Sequence, residues 1–153
     1  MGCLVEIIGR NRLVDQLLRA GLEVALPLRD RGIDLLVYAD LGENRADFQA
    51  RPIQMKSSSK QGYGIHRKYK KFADLLIAHV WNVRCEDDVV IYATTYDEAV
   101  MIGDEMGWTK TNSWIDKNAY STRAPSKRLM GLLEPFRMTP ERWRERLGLE
   151  PDG

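Results

Sequence analysis

An acid and a Gln-x-Lys pair are the residues of this chain best suited to phosphate chemistry. Asp34 lies in an apolar run, residues 33–39, where an unpaired carboxylate is costly to bury. Gln54 and Lys56 are two apart in a later run, so in a β-strand they share a face. Carboxylate and amide oxygens suit a hard divalent cation, and a lysine can stabilise charge on a phosphate. The spacing predicts a metal-assisted phosphate site, with Glu6 as a further ligand.

The segment around and after Lys56 is strongly basic. Residues 48–73 carry seven Lys or Arg and no acid, whereas residues 74–107 carry a net charge of −7. This asymmetry indicates either a surface that docks a polyanion or two segments that pair with each other. On the first interpretation, the side chains that contact DNA phosphates are Lys60, His66, Arg67, Lys68, Lys70 and Lys71. For His66 alone, a solvated loop residue is the more usual interpretation of a histidine in such a segment.

Hydrophobic periodicity indicates which elements position these residues. Residues 4–20 are apolar at helical spacing. The predicted strands are residues 24–28, 33–39, 48–58, 75–81 and 89–93. Between them we expect a polar hairpin turn at 41–47, a Ser/Gly loop at 57–64 and a basic turn or short helix at 66–72. His79, inside an apolar strand, is predicted to be a satisfied core residue rather than a metal ligand.

Two capping signals indicate helices in the second half of the chain. Thr95-x-x-Glu98 is a capping box that predicts a helix ending at Gly107. Thr139 followed by Pro140 predicts a helix that ends at Gly148. The element order predicts an α/β fold with a mixed central sheet flanked by helices. We expect one domain, residues 1–153, with a core at about 4–107 and a helical extension at 108–153.

The order of these residues resembles the PD-(D/E)xK nuclease superfamily, which has the restriction-endonuclease-like fold. The resemblance covers about residues 4–93 and follows its pattern of a helix acid, a strand Asp and then acid-x-Lys. The most similar branches are Holliday-junction resolvases and small intron-encoded homing endonucleases. The resemblance implies that Asp34 binds metal, Lys56 is catalytic, Gln54 replaces the usual acid and Glu6 is the auxiliary helix acid.

The resemblance implies a DNA endonuclease, of homing, resolvase or restriction type, that uses Mg²⁺ or Mn²⁺ and acts as a homodimer or higher homo-oligomer. Because Gln54 removes a negative charge from the metal shell, the alternative is an inactive nuclease-fold protein that binds DNA in a regulatory role. RNA stays open as a substrate. Two cysteines are too few for a disulfide framework and fit a reducing cytoplasm. The apolar runs are shorter than the ~18 residues of a membrane span, so we expect no membrane partner.

Overall fold

The computed structural model describes residues 2–39, 48–85 and 87–148, and their fold is mixed α/β, as the sequence predicts. The elements are α1 (Gly2–Arg19), β1 (Leu22–Ala25), β2 (Leu35–Ala39), β3 (Ala50–Ser57), β4 (Tyr63–His66), β5 (Leu76–Trp81), β6 (Val90–Thr95), α2 (Tyr96–Glu105), α3 (Asn112–Lys117), β7 (Ala119–Thr122), α4 (Lys127–Leu133) and α5 (Pro140–Leu147). A short 3₁₀ helix, Arg67–Lys71, follows β4.

The central sheet has five strands in the order β1-β2-β3-β5-β6. The first three strands are antiparallel neighbours, β3 and β5 are parallel, and β5 and β6 are antiparallel. The connection from β3 to β5 contains β4, which pairs with β7 in a separate two-stranded ribbon. The sheet is therefore mixed, and its one parallel pair joins the strand that carries Lys56 to the strand that carries His79.

Apolar clusters cover both faces of this sheet. On one face α1 and α5 pack over the strands, and Trp143 of α5 donates a 2.6 Å hydrogen bond to Gln16 of α1. On the other face α2, α4 and the ribbon enclose Trp81, whose indole nitrogen donates to the carbonyl of Gly62. Because both faces are covered, every residue of β5 is buried, which explains why its sequence is apolar except for His79.

Both predicted helix caps are confirmed. Thr95 and Glu98 form the reciprocal capping box of α2, and the chain turns at Gly107 with a positive φ of 78°. Thr139 caps α5, with Pro140 at its first position, and Gly148 ends it in the left-handed conformation. These local signals succeed because each satisfies backbone groups at a helix end without help from distant residues.

The loop predicted at 57–64 is partly wrong. Ser57 completes β3 and Tyr63 begins β4, so only the intervening residues are irregular. The ribbon strand β7 was not predicted, because Ala119–Thr122 is polar and short, and its pairing with β4 bridges distant parts of the chain. The turn predicted at 41–47 lies outside the described residues. In the part of the chain that is described, no helix combines the length and apolar character needed to cross a membrane.

Candidate active site

A cleft of about 340 Å³ opens where the start of α1, the turn between β1 and β2, and the end of β3 meet. Three carboxylates line it: Glu6 of α1, Asp30 of the turn, and Asp34 at the start of β2. The lining also includes Arg10 and Lys56. The cleft therefore gathers three of the four catalytic residues proposed from the sequence, Glu6, Asp34 and Lys56.

The approach of α1 to β3 depends on Gly9. A Cβ on this glycine would lie 2.1 Å from the hydroxyl oxygen of Ser57, too close for any side chain. Glu6 lies three residues before Gly9, close to one helical turn along α1, and both Glu6 and Ser57 line the cleft. The glycine that weakens the helical sequence pattern is thus the residue that lets α1 bring its acid to the end of β3.

Asp34 is held by β3 through two hydrogen bonds. Its backbone N–H donates to the carbonyl of Ile53 at 2.8 Å, and its carboxylate accepts from the backbone N–H of Met55 at 2.7 Å. Asp34 therefore precedes β2 rather than lying inside it, which makes it a strand-end acid. Burial raises the pKa of Asp34, the Met55 hydrogen bond lowers it, and the proximity of Asp30 raises it further. The net direction is upward, so the ionised carboxylate lacks sufficient positive partners in this cleft.

Asp30 is a candidate site residue that the sequence reasoning missed. Asp30 lies in the turn between β1 and β2, outside the segments to which the sequence analysis assigned a role. Its carboxylate accepts a hydrogen bond from the backbone N–H of Gly32 at 3.2 Å, as turn aspartates often do. The same residue lies within hydrogen-bonding reach of the Asp34 carboxylate. The sequence did offer one signal for this pair, because Asp30 and Asp34 are four residues apart with Gly32 between them. It was overlooked because Asp30 lies outside every predicted strand.

Gln54 lies outside the lining of the cleft. On β3, Ile53 and Met55 pack into the α1 side of the sheet, so Gln54 and Lys56 project from the opposite face. The side-chain amide of Gln54 donates at 3.4 Å to the carbonyl of Met55, and its oxygen is buried without a partner among the described residues. The structure therefore keeps Gln54 and Lys56 on one face, as predicted, but brings only the longer side chain to the cleft.

Lys56 lines the cleft, and two lysines of the 3₁₀ helix lie near residues around it. The ammonium groups of Lys56 and Lys68 each lie 5.1 Å from the centre of the Tyr69 ring, within cation–π distance. The ammonium of Lys71 lies beside Gly32, 3.7 Å from the position that a Cβ would occupy there. The 3₁₀ helix thus places Lys71 beside the turn that carries Asp30, and Lys68 beside the same tyrosine ring as Lys56.

The other proposed DNA-binding residues are less closely grouped. The guanidinium of Arg67 lies 4.8 Å from the centre of the Trp114 ring, on the α3 side of the molecule. Lys60 and Lys70 are exposed. His66 accepts a 3.0 Å hydrogen bond at Nδ1 from the backbone N–H of Lys68 and caps the 3₁₀ helix. Burial lowers the pKa of His66, and two nearby lysines, Lys68 and Lys56, lower it further.

The oppositely charged segments do not neutralise each other in the part of the chain that the structure describes. The ion pairs found there are Asp15–Arg19, Glu105–Arg128 and Glu98–Arg146. None of them uses a side chain of the basic segment 48–73. This outcome favours the interpretation in which the basic segment docks a polyanion.

His79 is confirmed as a core residue, but only Nε2 of its two ring nitrogens has a hydrogen-bond partner among the described residues. It is 1% exposed, and its Nε2 lies 3.1 Å from the carbonyl of Gly64. Since a carbonyl oxygen can only accept, Nε2 carries the proton. Burial lowers the pKa of His79 to about 4, the hydrogen bond to Gly64 opposes this shift, and Lys56 adds to it. The ring is therefore neutral at physiological pH.

Within residues 2–39, 48–85 and 87–148, no three His, Cys, Asp or Glu side chains form a group arranged to hold a metal ion. The cysteines Cys3 and Cys85 are free and exposed. No family model matches the chain, and no curated protein or solved structure matches it either.

Proposed function

We propose that this protein is a metal-dependent DNA endonuclease that hydrolyses phosphodiester bonds at the acidic cleft. The observation that carries the proposal is the convergence of Glu6, Asp30, Asp34 and Lys56 around one cleft. The element order supports a restriction-endonuclease-like fold, because a first helix supplies one acid, Asp34 lies immediately before β2, and Lys56 lies on β3, which pairs with β2.

The carboxylate pair of Asp30 and Asp34 fits a bound Mg²⁺ or Mn²⁺. Asp30 raises the energy of the ionised form of Asp34, and a divalent cation held by these residues would remove that penalty. Mg²⁺ in proteins is typically held by one or two carboxylates together with waters and substrate phosphates, so a third close acid is unnecessary. Glu6 lies on the wall of the cleft without forming a three-acid group with the two aspartates, and Gln54 takes no part. When bound, the cation would supply Lewis-acid stabilisation of the phosphodiester.

The chain's own residues would orient the substrate and stabilise its charge. Lys56 on the cleft wall can donate to a phosphate oxygen, and Arg10 offers a second cation on the α1 side. The hydrogen bond from Met55 fixes one carboxylate oxygen of Asp34, which leaves the other oxygen available to a ligand. The side chains of Lys68 and Lys71 would hold the neighbouring phosphates.

This function also implies partners and a cellular setting. A homodimer or higher homo-oligomer would place two copies of the acidic cleft on the two strands of DNA, so that both strands can be cut. The free cysteines Cys3 and Cys85 are consistent with the reducing cytoplasm that we propose.

The experiment is a cleavage assay on supercoiled plasmid and on a four-way junction, with Mg²⁺, Mn²⁺ or EDTA. We expect metal-dependent cutting by the wild type and a loss of at least about 100-fold in Lys56→Ala, the size of effect seen when a charge-stabilising donor is removed. The matched control is Lys110→Ala, an exposed lysine outside the cleft, which should cut at the wild-type rate. Equal cutting by wild type and Lys56→Ala would contradict the proposed site.

A second candidate function is DNA binding without cleavage. The observation that favours it is the position of Gln54, which supplies neither a charge nor an oxygen to the cleft. This alternative predicts that the wild type binds DNA and gains no cutting activity with either metal.

A further inference from the structure

A second cavity, of about 400 Å³, lies beside the acidic cleft and shares Lys56 and Ser57 with it. Its walls come from the residues that follow β3 and from the paired strands β4 and β7 of the ribbon. Its volume is within the range of ~300–1,000 Å³ that is typical of small-ligand sites. A molecule that fills this cavity and a phosphate that occupies the cleft would both be within contact of Lys56.

The walls of the second cavity are rich in rings and poor in charge. Tyr63, Tyr69 and His79 form the buried floor of the cavity, each at most 3% exposed, and the ring of His79 is neutral at physiological pH. The rings that a ligand can reach are those of the half-buried Tyr120 and His66. The cations on the walls are Lys56, whose ammonium lies 5.1 Å from the centre of the Tyr69 ring, and Arg123.

Glycine 62 contributes to the open volume. A Cβ on Gly62 would have the Ser58 hydroxyl at 3.5 Å and the Thr122 carbonyl at 3.9 Å as neighbours, both ordinary contact distances. A side chain at this position would therefore be accommodated by the backbone, and it would extend among residues that line the cavity. The absence of a side chain at Gly62 keeps this part of the cavity free for a ligand.

From this arrangement we infer that the second cavity receives an unpaired nucleobase of the nucleic-acid strand whose phosphate lies in the acidic cleft. An inorganic phosphate would use Lys56 and Arg123 and leave the accessible rings of Tyr120 and His66 unused. A purely apolar ligand would use the rings and leave Lys56 and Arg123 unused. A nucleotide matches both features, because it joins a flat ring that stacks on aromatic side chains to a phosphate that cations hold.

The inference rests on the proposed nuclease function and specifies its substrate class. A base that enters a protein cavity must leave the stack of its own strand, which costs least where the base is already unpaired. The protein would therefore prefer DNA with a single-stranded, bulged or branched segment at the cut site. An uninterrupted duplex would be bound through its phosphates alone and would leave the second cavity unfilled.

The test compares the binding of two short strands of equal length in EDTA, which prevents cutting. One is a thymidine oligonucleotide and the other is its abasic counterpart, which keeps the phosphates and lacks the bases. We expect the wild type to bind the thymidine strand about tenfold more tightly, because stacking on aromatic side chains is worth roughly 1–3 kcal/mol per base.

Two variants that fill the cavity test whether it is the source of this preference. Gly62→Phe and Ser58→Trp each place a large side chain among its walls, and both should reduce the preference to within about twofold. The matched control is Ser59→Trp, since Ser59 is exposed and lines neither cavity. Thermal unfolding of each variant confirms that it folds, and two independent variants keep the test usable if one does not.

Two results would overturn the inference: equal binding of both strands by the wild type, or a preference that survives in a folded Gly62→Phe or Ser58→Trp protein. Cutting is measured separately, with Mg²⁺ or Mn²⁺ present. A protein that shows the cavity-dependent preference and never cuts would contradict the endonuclease proposal and leave the nucleobase cavity standing. A protein that cuts DNA and shows no preference for the thymidine strand would contradict the nucleobase cavity and leave the endonuclease proposal standing.

Discussion

Two half-buried carboxylates of this molecule have similar exposure and opposite electrostatics. Glu98, at the junction of α2 and α5, is desolvated by burial, but hydrogen bonds from Arg146 and Thr95 more than offset this and lower its pKa. Asp34, in the acidic cleft, is also desolvated by burial, but the single hydrogen bond from Met55 does not offset this, and its pKa is raised. The difference lies in the partners that the chain supplies, because the depth of burial is comparable.

The comparison distinguishes a carboxylate that is already paired within the fold from one that is available to bind a ligand. At the α2–α5 junction, Glu98 completes the capping box of α2 and pairs with Arg146, so a ligand would have to displace existing partners. In the cleft, the charge of another acid, Asp30, makes the ionised form of Asp34 less stable and so raises its pKa. The pKa of Asp34 stays raised although Lys56 lowers it, so the cleft gains from a ligand that brings further positive charge.

The largest expected effect comes from removing one acid of the cleft. Asp30→Asn should lower cleavage by about 100-fold and weaken Mn²⁺ binding, because it removes half of the carboxylate pair that would hold the cation. Gln54→Glu, by contrast, should not increase Mn²⁺ affinity, because its side chain lies outside the cleft. Isothermal titration with Mn²⁺ and plasmid cleavage measure the two effects.

Asp74→Asn is the matched control for Asp30→Asn, since Asp74 is an exposed acid outside both cavities and should leave metal binding unchanged. A gain of metal affinity in Gln54→Glu would contradict the assignment of Asp30 as the second metal ligand. It would indicate that the side chain at position 54 of β3 is that ligand instead. Equal metal affinity in Asp30→Asn and wild type would remove Asp30 from the site.

The next effect concerns His79, which is fully buried and must therefore stay neutral. Its pKa is lowered to about 4 from an ordinary value of 6.5, so protonation favours the unfolded chain as the pH falls between these values. Between pH 7 and pH 5 the free energy of unfolding should fall by about 2 kcal/mol on this account. Urea unfolding at both pH values measures the loss.

His79→Gln is the comparison for this pH effect, because glutamine can still donate to the carbonyl of Gly64 and does not titrate. The variant should lose much less stability than the wild type over the same pH interval. A parallel loss in both proteins would assign the pH dependence to other groups, such as the weakly buried His66.

The success of the sequence analysis depended on how local each signal is. The capping box at Thr95 and the Pro140 start of α5 were predicted because neighbouring residues alone satisfy the helix ends. The strands β2 and β5 were predicted because apolar runs bounded by turns need no partner to be recognised, and β3 was predicted because apolar and polar residues alternate along it. The ribbon of β4 and β7 was missed because its two strands are short and lie far apart in the chain.

The candidate site shows the same limit at the level of side chains. Alternation correctly placed Gln54 and Lys56 on one face, but it does not indicate which side chain is long enough to reach the cleft. The role of Gly9 required the structure, because only the packing of α1 on β3 shows that a Cβ would meet Ser57. Asp30 was missed because turn residues carry no periodicity from which a direction can be inferred.

A smaller effect on stability tests the comparison between Glu98 and Asp34 directly. Neutralising Glu98 should lower the free energy of unfolding, whereas neutralising Asp34 should raise it. Glu98→Gln keeps an oxygen that can accept from Thr95 and loses the ion pair with Arg146, so it should destabilise the fold by roughly 0.5–1 kcal/mol. Asp34→Asn keeps an oxygen that can accept from Met55 and removes the repulsion with Asp30. It should stabilise the fold by a similar amount at neutral pH, without added metal.

Chemical denaturation of both variants at pH 7 in EDTA measures this difference, and a shift of the same sign in both would remove the distinction between a paired and an available carboxylate. The same two proteins should also differ in Mn²⁺ binding, which Asp34→Asn loses and Glu98→Gln retains. Stability and metal affinity would then change in opposite directions at Asp34, as expected where a functional charge is kept at a cost to the fold.

The smallest effect tests whether the basic segment binds phosphate. Replacing Lys68 and Lys70 with glutamine should weaken DNA binding a few-fold at every sequence and reduce the slope of log affinity against log salt by about 2, one for each phosphate that a lysine no longer neutralises. The control replaces Lys110 and Lys127, two exposed lysines outside both cavities, and removes the same charge. If both double variants change the slope equally, net charge accounts for the effect, and if neither changes it, the segment does not touch phosphate. A change confined to Lys68 and Lys70 would place the polyanion on the cleft side, where no ion pair among the described residues already uses these charges.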